Sequence, residues 1–365
     1  MSKPISSPLG VAVIGPGKVA HTHAQAVQSI PQARLVAIGG RDPGRTQAFA
    51  DQYHARAYTD IHALATDPEV HAVILCTPHP AHAHDAIVAA EAGVHVLVEK
   101  PMATTVADCN RMLAAAQAGG VRLSVISQRR WYASVQRVRQ AIDDGKIGKP
   151  ILGLVTVLGW RGPEYYAMDA WRGTWDGEGG GVMVNQTSHQ LDLFQWLMGP
   201  IDELFAFWAN LNHPYIEVED TAVAVLRFRS GALGNIVVSN SQNPGLFGKI
   251  HIFGDNGAAV GVQTDGGSMF VSGVSTHIEP PENDLWTVPS EAHMLPGWQA
   301  EDRARPENVG THYHCLQIAE FVDDLLSGRE PRITGGDGRN AVEIFEAVYR
   351  SQRDHAPVKF PLSPE

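Results

Sequence analysis

Short runs of apolar residues alternate with helical patterns through the first part of the chain. The runs are rich in Val, Ile and Leu, which is typical of parallel strands buried on both faces. Predicted strands cover residues 11–14, 34–38, 70–76, 94–98 and 123–126, with helical patterns at 18–30, from 43, at 82–93 and at 104–119. This order predicts an α/β domain built on a doubly wound parallel sheet of five or six strands.

After a predicted helix at 134–144, the pattern changes to alternating apolar and polar positions. Such alternation is typical of antiparallel strands, and turn signals such as Ser230–Gly231 separate several of them. The predicted strands cover residues 151–160, 204–212, 221–228, 232–239 and 249–253, and predicted helices cover 184–198, 311–326 and 339–353. We therefore expect two domains, 1–133 with the parallel sheet and 134–365 as an α+β domain with a mostly antiparallel sheet.

The first predicted strand runs into the segment Gly15–Ala20, with the sequence GPGKVA, which opens a helix. This is the G-x-G-x-x-A form of the dinucleotide-binding fingerprint in its strand-turn-helix context. Gly15 permits a tight turn, Gly17 lets the backbone approach a pyrophosphate, and the helix N-terminus supplies amide donors. We expect Gly15, Gly17, Lys18 and Val19 to bind the cofactor of a Rossmann domain. The alternative is a tight turn with a purely structural role.

The end of the second predicted strand bears on the choice between NAD and NADP. An NAD-selective site usually offers a carboxylate there to the ribose 2′-hydroxyl. In this chain the position is Gly40, and the cation Arg41 follows it, which suits the 2′-phosphate of NADP. Asp42 comes too late and is expected to cap the helix that begins near Pro43. The residues favour NADP(H), with NAD(H) as the alternative if Arg41 only stacks on the adenine.

A third predicted strand ends in Thr77–Pro78–His79–Pro80, a rigid loop expected to cross the middle of the cofactor. His82 and His84 follow at the start of a helix. No carboxylate or cysteine completes a ligand set there, so we expect no metal and interpret these histidines as solvated or pyrophosphate-side residues. The candidate cofactor contacts of this region are Thr77, Pro78, His79 and His82.

The strand at 94–98 ends in Glu99–Lys100–Pro101. Parallel strands present functional groups at their carboxyl ends, beside the crevice in which cofactors lie. Pro101 stops the strand because it has no N–H for the ladder. Lys100 is therefore predicted to be held at the rim of the sheet. The alternative is a surface Glu–Lys pair after a core strand.

Three glycines, Gly179–Gly181, precede a predicted helix that carries Asn185 and His189. Residues four apart share a face of a helix, and His189 also aligns with the apolar Leu193. A histidine on an apolar face is usually a satisfied core residue, which is the alternative to a role in ligand binding. Asp192 is either the residue that orients the imidazole or a structural hydrogen-bond acceptor.

Aromatic residues and arginines concentrate in residues 160–172, WRGPEYYAMDAWR. Flat rings stack on the C–H faces of sugars, and Arg and Glu bridge hydroxyls, so this loop suits a carbohydrate site. The alternative is a loop packed into a subunit interface. The candidate residues are Tyr165, Trp171 and Arg172.

Composition narrows the class of protein. The 365 residues are 44% hydrophobic and 18% charged, which is typical of a globular protein with room for two domains. The net charge of −11 argues against a nucleic-acid partner. Three distant cysteines form no disulfide framework and favour a reducing cytoplasm. No stretch matches a membrane span or a signal peptide, so we expect no membrane partner.

Four motifs occur in a characteristic order: the fingerprint at Gly15, Thr77–Pro78, Glu99–Lys100–Pro101, and the glycine-rich entry to the helix bearing His189. In these motifs the chain resembles the family of glucose-fructose oxidoreductase and inositol 2-dehydrogenase, over about residues 8–362. The resemblance implies an NAD(P)-dependent oxidoreductase acting on sugars, sugar nucleotides or cyclitols. It also implies a second domain whose large open sheet packs into homodimers or homotetramers.

The resemblance further implies roles for single residues. Lys100 would lie beside the nicotinamide and hydrogen-bond the substrate oxygen, with Glu99 among the cofactor-binding residues. Arg172, next to Trp171, would lie near the nicotinamide side of the cofactor. His312, at the start of a late helix, would approach the same cleft.

The chain departs from the family pattern at Asn185, where inositol dehydrogenase-like members carry Asp. An amide cannot take a proton, so His189 alone would exchange it. Asn185 would instead donate or accept a hydrogen bond to a substrate hydroxyl. This departure argues against an inositol substrate, whereas a sugar substrate remains compatible with Asn185.

We therefore expect hydride transfer to or from a secondary hydroxyl or ketone of a sugar, glycoside or related polyol. In this interpretation Lys100 polarises the substrate oxygen, and His189 exchanges the proton. One rival is a glycosidase that holds NAD tightly and cleaves its substrate through transient oxidation. A second rival is a non-catalytic regulator that senses NAD(P), against which the intact Lys100 and His189 argue.

Overall fold

The computed structural model describes residues 2–5, 7–264, 281–304 and 309–363. The chain divides into two compact units, residues 1–128 with 310–342, and residues 129–309 with 343–365. This division differs from the predicted one, because residues 310–342 belong to the first unit. The reason is an apolar stripe: Ile318, Phe321, Val322 and Leu325 lie in the buried core of the first unit.

The strands in chain order are β1 (Leu9–Ile14), β2 (Ala33–Gly39), β3 (Arg56–Tyr58), β4 (Ala72–Leu75), β5 (His95–Val98), β6 (Leu123–Val125), β7 (Pro150–Leu158), β8 (Ile201–Ala209), β9 (Thr221–Phe228), β10 (Leu233–Ser239), β11 (Gly248–Gly254), β12 (Ala259–Thr264), β13 (Glu282–Trp286) and β14 (Val358–Lys359). The helices are α1 (Lys18–Ser29), α2 (Pro43–Gln52), α3 (Ile61–Thr66), α4 (His82–Glu91), α5 (Val106–Gly119), α6 (Ala133–Asp143), α7 (Pro163–Tyr166), α8 (Trp175–Glu178), α9 (Ser188–Met198), α10 (Leu295–Arg303), α11 (Val309–Leu326) and α12 (Gly335–Asp354). No helix of these described ranges is long and apolar enough to cross a membrane.

The first unit holds a six-stranded sheet in the order β3-β2-β1-β4-β5-β6. Every neighbouring pair is parallel, which confirms the predicted doubly wound sheet. Strand order reverses between β1 and β4, and ligands of such sheets bind outside the strand ends at that reversal. Asp42 caps α2 as predicted, since its Oδ1 accepts from the Arg45 N–H at 2.8 Å.

The second unit holds an eight-stranded sheet in the order β13-β12-β11-β7-β10-β9-β8-β14. Most pairs are antiparallel, as predicted, but β10 and β7 run parallel. Helix α9 packs on one face, where the ring of Phe194 lies so close to Gly153 that a Cβ there would be 2.5 Å from it. The strands β3, β12, β13 and β14 were not predicted, because two are very short and the others lack a clear alternating pattern.

Helix α9 begins four residues later than predicted, at Ser188. The segment before it forms turns, because buried Glu219 binds its backbone: the N–H groups of Gly181 and Met183 donate to the carboxyl oxygens at 2.8 and 3.0 Å. Asn185 therefore lies in a turn, and the predicted shared helix face of Asn185 and His189 is wrong.

Candidate functional site in two parts

The fingerprint forms a cradle that only glycine allows. Gly15 has a φ of +93°, and a Cβ on it would lie 2.7 Å from the backbone of Cys76 and Thr77 at the end of β4. Gly17 is the extended residue immediately before α1, whose first turn carries no acidic side chain. Lys18 is exposed and Val19 half-buried. A narrow turn at a helix N-terminus without a carboxylate fits the pyrophosphate of a dinucleotide.

The end of β2 leaves no room for an acidic side chain. A Cβ on Gly40 would lie 2.5 Å from the Thr46 hydroxyl and 2.6 Å from the Pro16 ring. Arg41 is exposed immediately afterwards. Packing therefore excludes at residue 40 an acidic side chain that would hydrogen-bond the ribose 2′-hydroxyl.

His82 links two of the predicted cofactor segments through their backbones. Its Nδ1 lies 2.9 Å from the Pro101 carbonyl oxygen, and its Nε2 lies 2.8 Å from the Thr77 carbonyl oxygen. A carbonyl oxygen only accepts and a neutral imidazole has one N–H, so the neutral ring donates to one of these two carbonyls. Burial lowers the pKa of His82, against the opposing effect of these two carbonyls. His82 is buried, so the interpretation of it as a solvated residue is wrong, and His79 is buried beside it at a ring separation of 5.9 Å.

Glu99, the residue before Lys100, is a buried carboxylate that binds the backbone of Lys100. The His23 imidazole donates to its Oε1 at 2.7 Å, and the Lys100 N–H donates to its Oε2 at 3.0 Å. Burial alone would raise the pKa of Glu99, but the hydrogen bond and charge of His23, together with the charges of His314 and Lys100, outweigh it and lower the pKa to about 2. Glu99 is therefore ionised at neutral pH, and the half-buried Lys100 is held at the end of β5 as predicted.

His23, Glu99 and His314 offer three potential metal-ligand atoms within 4.8 Å of one another. Two ligands of a tetrahedral zinc, each about 2.0–2.1 Å from the ion, lie roughly 3.3 Å apart. The His23–Glu99 separation of 2.7 Å is instead that of a hydrogen bond. This cluster is therefore a hydrogen-bonded anchor. The Nε2 of His314 in α11 lies 3.8 Å from the Glu99 carboxylate, a distance beyond that of a hydrogen bond, whereas the predicted contact residue His312 is exposed.

In the second unit the buried Tyr165 hydroxyl is the centre of a polar cluster. It accepts from Arg172 at 2.5 Å, from the Asn185 amide at 3.0 Å and from the Gln186 amide at 3.0 Å. The Arg172 guanidinium also lies 4.4 Å from the ring centres of both Tyr165 and Trp171. Burial raises the pKa of Tyr165 to about 12, so the phenol is neutral. Three residues predicted separately, Tyr165, Arg172 and Asn185, thus meet in one cluster.

Glu178 completes this cluster as a buried carboxyl. Its Oε2 accepts from the Gly173 N–H at 2.6 Å, and its Oε1 accepts from the Asn185 amide. His189 is buried as the second residue of α9. Arg130 donates to both oxygens of Asp192 at 2.9 and 2.6 Å.

Sequence reasoning missed several of these residues. His23 had a readable signal, since it lies three residues after Ala20 and one before Ala24 and therefore on the buried face of α1. The only sequence signal for Glu178 was its position before the glycine run, and an ordinary surface glutamate could occupy that position equally well. Glu219 had none, because it is 38 residues from the glycine that it binds.

Two family profiles match the chain. The profile of the oxidoreductase family with NAD-binding Rossmann fold matches residues 9–127, and that of the GFO/IDH/MocA C-terminal domain matches residues 135–260. The chain belongs to this family. It is therefore an oxidoreductase with an NAD-binding Rossmann domain, as the motifs indicated.

Individual relatives extend over nearly the whole chain. A myo-inositol 2-dehydrogenase of Thermotoga maritima is 33% identical over 96% of this chain and 98% of its own. A 2,7-anhydro-N-acetylneuraminate hydratase of Mediterraneibacter gnavus is 31% identical over 96% of each chain. Among solved structures, the WlbA dehydrogenase of Bordetella pertussis in complex with NADH and UDP-GlcNAcA is 33% identical, with a TM-score of 0.81 over 97% of this chain and 99% of that one.

Proposed function

We propose that this oxidoreductase is a dehydrogenase or reductase of a secondary hydroxyl or ketone in a sugar, glycoside or related polyol. The observation that carries the proposal is Lys100, held at the end of β5 by the Glu99 anchor and on the same sheet edge as the fingerprint. The names of the myo-inositol and UDP-GlcNAcA relatives support a polyhydroxylated substrate.

The bound nicotinamide would supply or accept the hydride. Lys100 would donate a hydrogen bond to the substrate oxygen and so stabilise its developing negative charge. His189 would take the hydroxyl proton during oxidation and return it during reduction. Tyr165, Arg172 and Asn185 would bind other hydroxyls of the sugar. The proposed cofactor contacts remain Gly15, Gly17, Lys18, Val19, Thr77, Pro78, His79, His82, Glu99, Lys100, Trp171 and Arg172, with Arg41 as the residue that favours NADP over NAD.

A second candidate function is a redox-neutral reaction through transient oxidation, favoured by the hydratase relative. Hydride would then leave the substrate and return within one turnover. A panel of sugars, glycosides and cyclitols, each tested with NAD and NADP, separates the two by absorbance of the reduced cofactor. Net reduction by at least one compound is the result we expect. Substrate conversion with no net absorbance change would favour the redox-neutral reaction, and no conversion of any compound would contradict both.

We also infer that a second copy of the chain covers the sheet face turned away from α9. That face exposes Phe207, Val223, Val225 and Leu233 from three adjacent strands, more apolar side chains than a solvated sheet normally shows together. Sedimentation of the protein tests this inference of a homodimer or homotetramer, which a monomer at micromolar concentration would contradict. The three cysteine thiols favour a reducing, cytoplasmic setting.

A further inference from the structure

Arg161 is a half-buried cation next to the polar cluster around Tyr165. Its guanidinium carbon lies 5.3 Å from the centre of the Tyr165 ring, and its Nη1 donates to the Trp160 carbonyl oxygen at 2.8 Å. Among the residues that the structure describes, its buried Nε–H has no hydrogen-bond acceptor and no carboxylate forms an ion pair with it. Holding a charge partly out of water without a counter-ion costs free energy. An anion from outside the chain would remove this cost.

The backbone of Arg161 is fixed on both sides. Its N–H donates to the Asn240 carbonyl oxygen at 3.1 Å, and its own carbonyl oxygen lies 2.8 Å from Nε2 of His213. His213 is fully buried, and its Nδ1 lies 2.8 Å from Oδ2 of the equally buried Asp220. A ligand would therefore meet a guanidinium on a pre-positioned main chain, which reduces the conformational entropy lost on binding.

Arg172, the second arginine of the same loop, differs from Arg161 in its partners. Its Nε donates to Asp169 at 3.2 Å and its Nη1 donates to the Tyr165 hydroxyl at 2.5 Å, so its charge already has a carboxylate partner. A neutral sugar hydroxyl would leave the charge of Arg161 without a counter-ion. A carboxylate or a phosphate supplies that counter-charge and matches the planar fork of guanidinium donors.

We propose that Arg161 binds an acidic group of the substrate, so that the substrate is a sugar or polyol carrying a carboxylate or a phosphate. The proposal rests on the proposed function, in which residues of the neighbouring cluster bind sugar hydroxyls. It adds a residue that determines specificity, because a neutral sugar of the same shape would leave Arg161 unpaired.

The first test measures ligand binding through the thermal unfolding midpoint, in the presence of NAD or NADP. D-glucuronate, D-galacturonate and glucose 6-phosphate are compared with D-glucose and D-galactose at equal concentration, with sodium chloride added to equalise ionic strength. A ligand that binds only the folded state raises the midpoint, so at least one acidic sugar should raise it more than its neutral counterpart does. The uronates and the sugar phosphate separate a carboxylate from a phosphate as the bound group. Equal midpoints with acidic and neutral sugars would overturn the proposal.

Variants at position 161 assign this shift to the guanidinium. Arg161→Gln should lose the additional shift caused by the acidic sugar, and Arg161→Lys should keep part of it, because lysine keeps the charge but not the fork. Arg353→Gln is the matched control, since Arg353 is an exposed arginine of α12 that pairs with Asp354, and it should shift as the wild type does. A full shift in Arg161→Gln would mean that the acid binds elsewhere, which also contradicts the proposal.

The second test adds the same acidic sugars to the substrate panel. For an acidic sugar that is converted, Arg161→Gln should raise KM about 10- to 100-fold, the scale of a lost charge-assisted hydrogen bond, with cofactor affinity unchanged. An equal loss of cofactor affinity would show that Arg161 binds a cofactor phosphate, and a preference for the neutral sugar would show that no acidic group is recognised; either result rejects the proposal. If no compound is converted, the proposed function fails, whereas the unfolding shifts still decide whether Arg161 binds an acidic sugar.

Discussion

Residue 40 follows β2, where NAD-selective Rossmann domains carry an acidic side chain. Packing excludes one here, since a Cβ on Gly40 would lie 2.5 Å from the Thr46 hydroxyl. Arg41 comes next and is exposed, so its guanidinium is accessible to a phosphate. The solved structure of the WlbA relative contains NADH. The question for this protein is therefore whether Arg41 shifts the preference from NAD to NADP.

Arg41→Ala tests that question. A charge-assisted hydrogen bond to the 2′-phosphate contributes about 1.5–3 kcal/mol, so NADPH affinity should fall by that amount while NADH affinity hardly changes. Fluorescence titration with both cofactors measures it, and Arg45→Ala on the first turn of α2 is the control. An equal loss for NADPH and NADH would show that Arg41 stacks on the adenine.

At the scale of elements, Glu219 shapes the segment that precedes α9. It is fully buried and binds the backbone of Gly181 and Met183, and the Tyr349 hydroxyl donates to it at 3.0 Å. Burial raises the pKa of Glu219 to about 7, against the lowering effect of these three donors. Because the folded state then binds this proton up to a higher pH than the unfolded state, the stability that this group contributes is greatest below about pH 4.5 and declines as pH rises towards 7.

Glu219→Gln should remove that dependence. The free energy of unfolding of the wild type should fall between about pH 5 and 7 by an amount on the order of 1–3 kcal/mol more than that of the variant. Urea unfolding at the two pH values measures the difference. Parallel pH dependence in the two proteins would show that Glu219 is ionised throughout this range, with its charge fully satisfied by the three donors.

The sequence predicted elements whose signals are local and missed those that depend on distant partners. The parallel strands, the cap at Asp42 and the end of α9 at Gly199 each have a pattern within a few residues. The start of α9 does not, because its glycine segment is fixed by Glu219, and the assignment of 310–342 depends on which core its apolar stripe enters. The candidate residues were recognised from their chemical type and motif, whereas their hydrogen-bond partners Glu178 and Gln186 could be identified only from the fold.

For the whole molecule, the proposed catalytic and binding residues are found in both units. The first unit carries the fingerprint, the buried His82 and the Glu99–Lys100 pair. The second carries His189 and the Tyr165–Arg172–Asn185–Glu178 cluster. The central proposal is that Lys100 is a catalytic cation, so that the first unit supplies this residue as well as the cofactor site.

Single-turnover reduction of enzyme-bound cofactor by a sugar that the panel identifies tests this role of Lys100 most directly. Lys100→Met should bind cofactor within a few-fold of wild type but transfer hydride about 10²-fold more slowly or worse, the usual scale for losing a positioned charge-stabilising group. Lys359→Met, which alters an exposed lysine of β14, should react at the wild-type rate. A Lys100→Met rate equal to that of Lys359→Met would contradict a catalytic role for Lys100.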